Sequence, residues 1–276
     1  MKHLTQEQID HYRREGYLSP LTAMSEAKAR VFRARLEGSE REFGPLKIGG
    51  YGSKSHLLFT WADEIIRNER LLDAVEDLIG KDILIYTLTL WIKAPESGAF
   101  VDWHQDASYF GLEPKEQVTA WVALSESRAE SGCVRVIPGS HLGGAYRHSI
   151  REGAPNHMLP RRQAVDTTVD ESKAARMELK PGQFSLHHTL AIHGSEPNLS
   201  DDRRIGVGIS YIPTRVRFTG MVRLTGMLVR GTDRYGHFDP ERPPTRDCAP
   251  DQVPYHAAVM KNYFDSKQDL NIGNAE

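Results

Sequence analysis

Apolar residues in the first quarter of the chain recur at helical spacing. From position 83 onward, apolar and β-branched residues gather instead into short runs separated by turn formers. Thr5-x-x-Gln8 is a capping-box pattern that opens a helix running through Arg14, with Gly16 as its stop. Residues 25–42, rich in Ala, Arg, Leu and Glu, predict a second helix, and residues 62–79 a third, ending before Gly80. Strands are expected at 83–92, 118–124, 133–137, 183–188 and 205–212, broken by Pro95, Gly98, Gly132, Pro138-Gly139 and Pro181-Gly182. Many short strands without regular helical crossovers point to an antiparallel sandwich or barrel rather than to βαβ units. Residues 141–175 are poor in strand signals and read as a long insertion or lid. The tail from 214 holds one expected helix near 255–264. No linker divides the chain, so one domain over residues 1–276 is expected, with a helical flank (1–80), a β core (81–213) and a C-terminal extension (214–276).

Composition narrows the function classes. The 276 residues carry a formal net charge of −2, with 39% hydrophobic and 26% charged residues. Such a balance suits a globular protein and gives no electrostatic reason to expect nucleic acid or a membrane surface as partner. The first residues lack the apolar stretch of a signal peptide, and no run of about 18 apolar residues occurs. Cys133 and Cys248 stand far apart, too few for a thiolate metal cluster or a disulfide framework. A cytoplasmic protein is the expectation.

The chemistry-bearing stretch is Trp103-His104-Gln105-Asp106. In a strand, residues i and i+2 share a face, so His104 and Asp106 can offer an imidazole and a carboxylate to one ion. A further histidine from a distant strand would complete a two-histidine, one-carboxylate triad, which leaves coordination positions open on a non-haem iron(II). The H-x-D pair alone is weak, since roughly one is expected by chance among 12 histidines. Indeed His237 and Asp239 form a second such pair, in a Gly- and Pro-containing region without a strand pattern. For the third ligand His187, His188 and His193 compete, although His187 and His188, as neighbours in a strand, face opposite ways. Arg204 follows His193 near the start of a strand, where a buried guanidinium could hold a carboxylate through two parallel hydrogen bonds.

Five ordered segments give the pattern specificity. They are Leu90-Trp91-Ile92-Lys93-Ala94-Pro95, Trp103-His104-Gln105-Asp106, Ala120-Trp121-Val122-Ala123-Leu124, the run from Ser131 to His141, and His193-Gly194-Ser195 with its later arginine. In this order and spacing the chain resembles the phytanoyl-CoA dioxygenase family of iron(II)/2-oxoglutarate oxygenases. The resemblance implies a double-stranded β-helix (jelly-roll, cupin-like) core with flanking helices. It maps metal ligation onto His104, Asp106 and His193, and 2-oxoglutarate binding onto Arg204, with Lys93 and Ser195 beside it. Fe(II), 2-oxoglutarate and O2 are the cofactor and co-substrates it implies. Family halogenases lack the carboxylate ligand, so the presence of Asp106 favours hydroxylation, with release of succinate and CO2, over chlorination.

Tyr109 and Phe110 follow the metal motif closely enough to line a substrate pocket, and Trp121 either joins them or fills the core. His141 reads as structural. The expected substrate is a small metabolite, a natural-product intermediate or a phosphonate-type compound, since no cluster reads as a CoA cradle. Rival readings are a cupin-type metal-dependent hydrolase or isomerase, which would need no anchor at Arg204, and a non-catalytic sensor of metal or 2-oxoglutarate.

Overall fold

A computed structural model describes residues 1–268 of the chain. The helices are α1 (Gln6–Glu15), α2 (Glu26–Phe43), α3 (Thr60–Ile66), α4 (Glu69–Ile79), the one-turn α5 (Ala107–Phe110) and α6 (Gln252–Gln268). The longer strands are β1 (Tyr17–Thr22), β2 (Ile83–Lys93), β3 (Val101–His104), β5 (Val118–Ala123), β10 (Gln183–His188), β12 (Arg204–Pro213) and β14 (Thr225–Arg230). Short strands β4 (Leu112–Glu113), β6 (Val134–Val136), β7 (His148–Ile150), β8 (Gln163–Val165), β9 (Ala175–Met177), β11 (His193–Ser195), β13 (Arg217–Phe218) and β15 (Asp239–Pro240) complete the set. A seven-stranded sheet runs β1-β10-β5-β12-β2-β14-β15, and a four-stranded sheet runs β3-β11-β6-β9. Two-stranded pairs β13-β4 and β7-β8 stand beside them, so the protein is mainly β with flanking helices, built on two main sheets.

Side-chain alternation divides the large sheet into two faces of opposite character. Val118, Ala120 and Val122 on β5, Phe184 and Leu186 on β10, and Ile205, Val207 and Ile209 on β12 join one apolar cluster with residues of α2, α3 and α4. Each fully buried Ile, Leu or Phe there contributes about 1.5–3 kcal/mol. The intervening residues Thr119, Trp121, His187, Arg204, Gly208 and Ser210 face a cavity instead. Glycine is required at two places on that face of β12. A Cβ on Gly206 would lie 1.8 Å from the Trp121 ring, and one on Gly208 would lie 2.6 Å from Trp91.

Several expectations change on contact with the structure. The capping box at Thr5 and Gln8 forms as expected, and Gly16 ends α1 in the left-handed conformation. The expected third helix is two, because the Asn68 side chain accepts a hydrogen bond from Leu71 N and so caps a new helix there. The helical flank also contains β1, which pairs with β10 at the sheet edge. Within 141–175, strands β7 and β8 pair with each other, and β9 pairs with β6. The sheets exceed the expected core of 81–213, since β1 and β14 belong to the large one. The expected tail helix is longer, as α6, while residues 269–276 of the expected extension lie outside the described residues. Both cysteines are free. No helix of the described residues is long and apolar enough to cross a membrane.

The C-terminal portion is tied to the sheet by a buried polar cluster. Glu241 pairs with Lys54, accepts from Thr225 Oγ1 at 2.6 Å and lies 2.9 Å from His56 Nε2. Lys54 also donates to the Tyr86 carbonyl at 2.7 Å. Burial alone would raise the Glu241 carboxyl, but Lys54 and His56 overcome it and hold its pKa at about 2, below its ordinary 4.5. A carboxylate with a depressed folded-state pKa stabilises fully above its unfolded value and loses that contribution as pH falls through the folded value. Glu241→Gln is therefore expected to destabilise by about 3–5 kcal/mol near neutrality, by leaving Lys54 buried and unpaired. In urea melts, the gap from wild type should hold down to about pH 4.5 and narrow towards pH 2.

Candidate metal centre and its cavity

Strand pairing supplies the first two histidines. His104 ends β3 and His193 opens β11, and the two are directly opposite in the antiparallel register. Their ring centroids lie 4.1 Å apart. Each Nδ1 lies within hydrogen-bond distance of the carbonyl two residues earlier, Asp102 O at 2.9 Å and Ala191 O at 3.0 Å. A carbonyl can only accept, so Nδ1 carries the proton in both rings and Nε2 keeps a free lone pair. Asp106 does not reach the site by strand alternation, as expected from sequence, because β3 stops at His104. Two residues past the end of β3, Asp106 is the N-cap of α5, in αR conformation.

The resulting group is compact. Asp106 Oδ1 lies 3.8 Å from His104 Nε2 and 4.0 Å from His193 Nε2. Those separations are too long for hydrogen bonds and leave room for an ion between the three atoms. His104, Asp106 and His193 form the one group of potential metal ligands among the described residues, with donor atoms all within 4.8 Å of one another. Burial lowers the pKa of both histidines, well below its usual value for His193. Burial would raise the Asp106 carboxyl, but the surrounding histidines hold it below its ordinary value. Neutral imidazoles beside an ionised carboxylate are the protonation states that a divalent cation requires.

The cavity continues from this group to a second polar feature. Arg204, on β12, is 1% exposed and donates from Nη1 to the Gly132 carbonyl at 2.8 Å, while its Nε has no partner. Its guanidinium lies over the Trp121 ring at 5.2 Å. Lys93 is opposite Arg204 in the β2–β12 register and donates to Ser195 Oγ at 2.7 Å and to the Glu196 carbonyl. Burial, reinforced by Arg204, pushes Lys93 down to about 6, and burial takes Arg204 to about 10. Neither makes an ion pair with the described residues. Arg204, a buried cation with no carboxylate beside it, and the neighbouring Lys93 amine make the positive end of the cavity, where an anion would compensate the charge.

Of the residues singled out from sequence, His104, Asp106, His193, Arg204, Ser195, Phe110 and Trp121 all border one cavity between the two sheets. Tyr109 borders its adjoining outer part, where Phe110, His104 and Asp106 recur. Lys93 stands behind the wall, reaching it through Ser195. His188 turns the other way, towards Tyr12 and His141, and accepts from Leu190 N. His141 reaches the Arg13 carbonyl and is structural. The second pair lies apart from the site, Asp239 being exposed and bridged to Arg223.

Three contributions were not found from sequence. Thr119 donates to Asp106 Oδ2 at 2.8 Å. Gln105, between the two motif residues, accepts from Tyr146 N and donates to the carbonyls of Gly144 and Leu190, pinning the chain around the site. Tyr263 and Phe264 of α6 close the outer cavity together with Leu159, Pro160 and Gln163. A signal existed for Thr119, a polar residue on an otherwise apolar strand at an inward position.

Comparison with known proteins places this architecture. The chain belongs to the phytanoyl-CoA dioxygenase (PhyH) family, whose model matches residues 2–206. It is 31% identical over 157 residues to "Probable alpha-ketoglutarate-dependent hypophosphite dioxygenase" of Stutzerimonas stutzeri, covering 56% of this chain and 54% of that protein. The chain thus spans about half the length of that relative. It is 26% identical over 223 residues to L-proline trans-4-hydroxylase of Streptomyces griseoviridis, covering 72% of this chain and 83% of that one. Among solved structures, the apo form of the non-heme monooxygenase ThoJ superposes with a TM-score of 0.84 at 31% identity, over 95% of this chain and 98% of that chain. Its nickel complex gives 0.80 at the same identity, over 96% and 100%.

Because Arg204 is an uncompensated buried charge, Arg204→Met should leave the ligand-free protein as stable as wild type or raise its Tm by about 2–4 °C. A fall of several degrees in a thermal melt would mean that the guanidinium is a structural fixture. Gly132→Ala should act oppositely. Gly132 sits at φ +67°, and a Cβ there would lie 2.1 Å from the Glu196 carbonyl oxygen. The left-handed strain alone costs about 1–2 kcal/mol, so a clear drop in Tm is expected, with the Arg204 hydrogen-bond acceptor displaced.

Proposed function

We propose that the protein is a non-haem Fe(II)/2-oxoglutarate-dependent dioxygenase that hydroxylates a small molecule, working as a single unit on a double-stranded β-helix (jelly-roll) core. The observation that carries this reading is the pairing, on one cavity, of a His-Asp-His donor set with the buried Arg204 guanidinium, which has no counterion and has the Lys93 amine behind it through Ser195. A hydrolytic metal site needs the first feature but not the second. The names of similar proteins support it: relatives of this chain are named as a probable alpha-ketoglutarate-dependent hypophosphite dioxygenase and an L-proline trans-4-hydroxylase, and ThoJ has been solved with nickel.

In this reading His104, Asp106 and His193 hold the metal through Nε2, one carboxylate oxygen and Nε2. Arg204 grips the far carboxylate of 2-oxoglutarate, helped by Ser195, while Lys93 holds Ser195 in place and adds positive potential. Bound iron supplies the dioxygen chemistry, with 2-oxoglutarate as the electron source that leaves as succinate and CO2. The protein's part is to orient and to keep water out. Phe110, Tyr109 and Tyr263 give the outer cavity an aromatic wall, which suits a small metabolite or natural-product intermediate bearing an apolar portion beside its reacting C–H bond. A phosphonate-type substrate is the polar counterpart of that class.

Aerobic incubation with Fe(II), ascorbate and 2-oxoglutarate should release succinate slowly without a primary substrate and faster with the right one. Asp106→Ala should cut that release by about 100-fold or more, as loss of a metal ligand does. Equal succinate release by wild type and Asp106→Ala, or none by the iron-loaded wild type with any of a panel of small-molecule substrates, would refute the assignment.

A further inference from the structure

A third imidazole stands beside the proposed metal centre without belonging to its donor set. His187 lies on β10 and is 2% exposed. Its Nε2 is 3.5 Å from Asp106 Oδ2, and its ring centroid is 4.3 Å from that of His193. Neither ring nitrogen has a hydrogen-bond partner of normal geometry. A buried imidazole with both nitrogens unused is costly, so its retention here calls for a partner. It is not a member of the set of donors within 4.8 Å of one another.

The two oxygens of Asp106 are differently placed. Oδ1 faces His104 and His193. Oδ2 faces away, towards Thr119 Oγ1 at 2.8 Å and towards His187. His187, Thr119 and Ser210 form one row across β10, β5 and β12, each opposite the next in register. The hydroxyl of Thr119 is itself oriented: it accepts from Gln117 Nε2 at 3.1 Å, so its own hydrogen is left for Asp106. Gln117 is fixed in turn by donation to Ser210 Oγ and acceptance from Thr189 Oγ1, both at 3.1 Å.

We infer that His187 is a positioning residue: it donates from Nε2 to Oδ2 of Asp106, beside Thr119, and so holds the carboxylate with Oδ1 aimed between His104 and His193. The inference rests on the metal-centre reading above. A carboxylate without donors on its distal oxygen can rotate and turn Oδ1 away from the two imidazoles. Two donors on Oδ2 fix the plane of the carboxylate, as outer partners do for metal ligands generally, and their loss weakens metal binding.

The test is Mn(II) titration of the purified protein, with free Mn(II) followed by electron paramagnetic resonance, alongside thermal melts. Wild type, His187→Phe and His187→Gln are compared; the glutamine amide nitrogen reaches the place of imidazole Nε2, whereas phenylalanine keeps the bulk alone. The expected result is affinity weakened about 10–100-fold in His187→Phe and largely restored in His187→Gln, with His187→Phe melting no lower than His187→Gln. Mn(II) bound by His187→Phe as tightly as by wild type would overturn the inference while leaving the metal centre standing. Affinity lost equally in both variants would also overturn it, assigning His187 to packing or to direct ligation. No Mn(II) binding by wild type would remove the metal centre itself.

Discussion

The alternation of side chains across the central strands is the constraint on which the site depends. On β5, β10 and β12, alternate residues are apolar, His188 at the end of β10 excepted, and join one cluster with residues of α2, α3 and α4. The remaining residues are thereby forced into the space between the two sheets, where they include His187, Thr119, Ser210 and Arg204. A slip of one residue in any of these strands would bring Ile205 or Leu186 into the cavity and drive Arg204 or His187 into the helical core. The large apolar face thus does more than stabilise; it fixes which polar groups are taken out of water and towards what they point.

Those polar groups do not neutralise one another fully. Arg204 is buried without a counterion beside the Lys93 amine, Asp106 lies 3.8 Å from His104 and 4.0 Å from His193, and His187 has no regular hydrogen-bond partner. Hydrogen bonds to the surrounding backbone orient them without saturating them: Asp102 O and Ala191 O fix His104 and His193, and Gly132 O fixes one end of Arg204. Buried groups of this kind lower stability unless a bound partner compensates them, which is what the proposed function requires. The same logic separates them from the Lys54–Glu241 cluster, which is equally buried but internally compensated.

Much of this could be read from the chain. The capping box at Thr5, the long β2 run and the motif around His104 each encode their structure locally, through spacing and residue type. The family resemblance ordered the remaining pieces, and the structure brings His104, Asp106, His193, Arg204, Ser195, Phe110 and Trp121 to one cavity. What escaped was non-local. β1 and β14 join the large sheet through pairings with β10 and β2, strands distant in sequence. Tyr263 reaches the cavity from a helix more than 150 positions after Asp106 (263 − 106 = 157). Asp106 illustrates a subtler gap: its position beside His104 was expected from strand alternation, yet a helical turn delivers it. Residue types alone left His187, His188 and His193 open and the family resemblance pointed to His193; the register sets His193 opposite His104, while His188 turns towards Tyr12.

The most direct measurement is an anaerobic titration of the protein with Fe(II) and 2-oxoglutarate, followed by visible absorption. The account predicts a weak charge-transfer band near ~500 nm, a signature of a keto acid chelated to a ferrous centre with adjacent open positions. It should need both components and shift to much higher 2-oxoglutarate concentration in Arg204→Met. Absence of the band in iron-loaded wild type at saturating 2-oxoglutarate would contradict it.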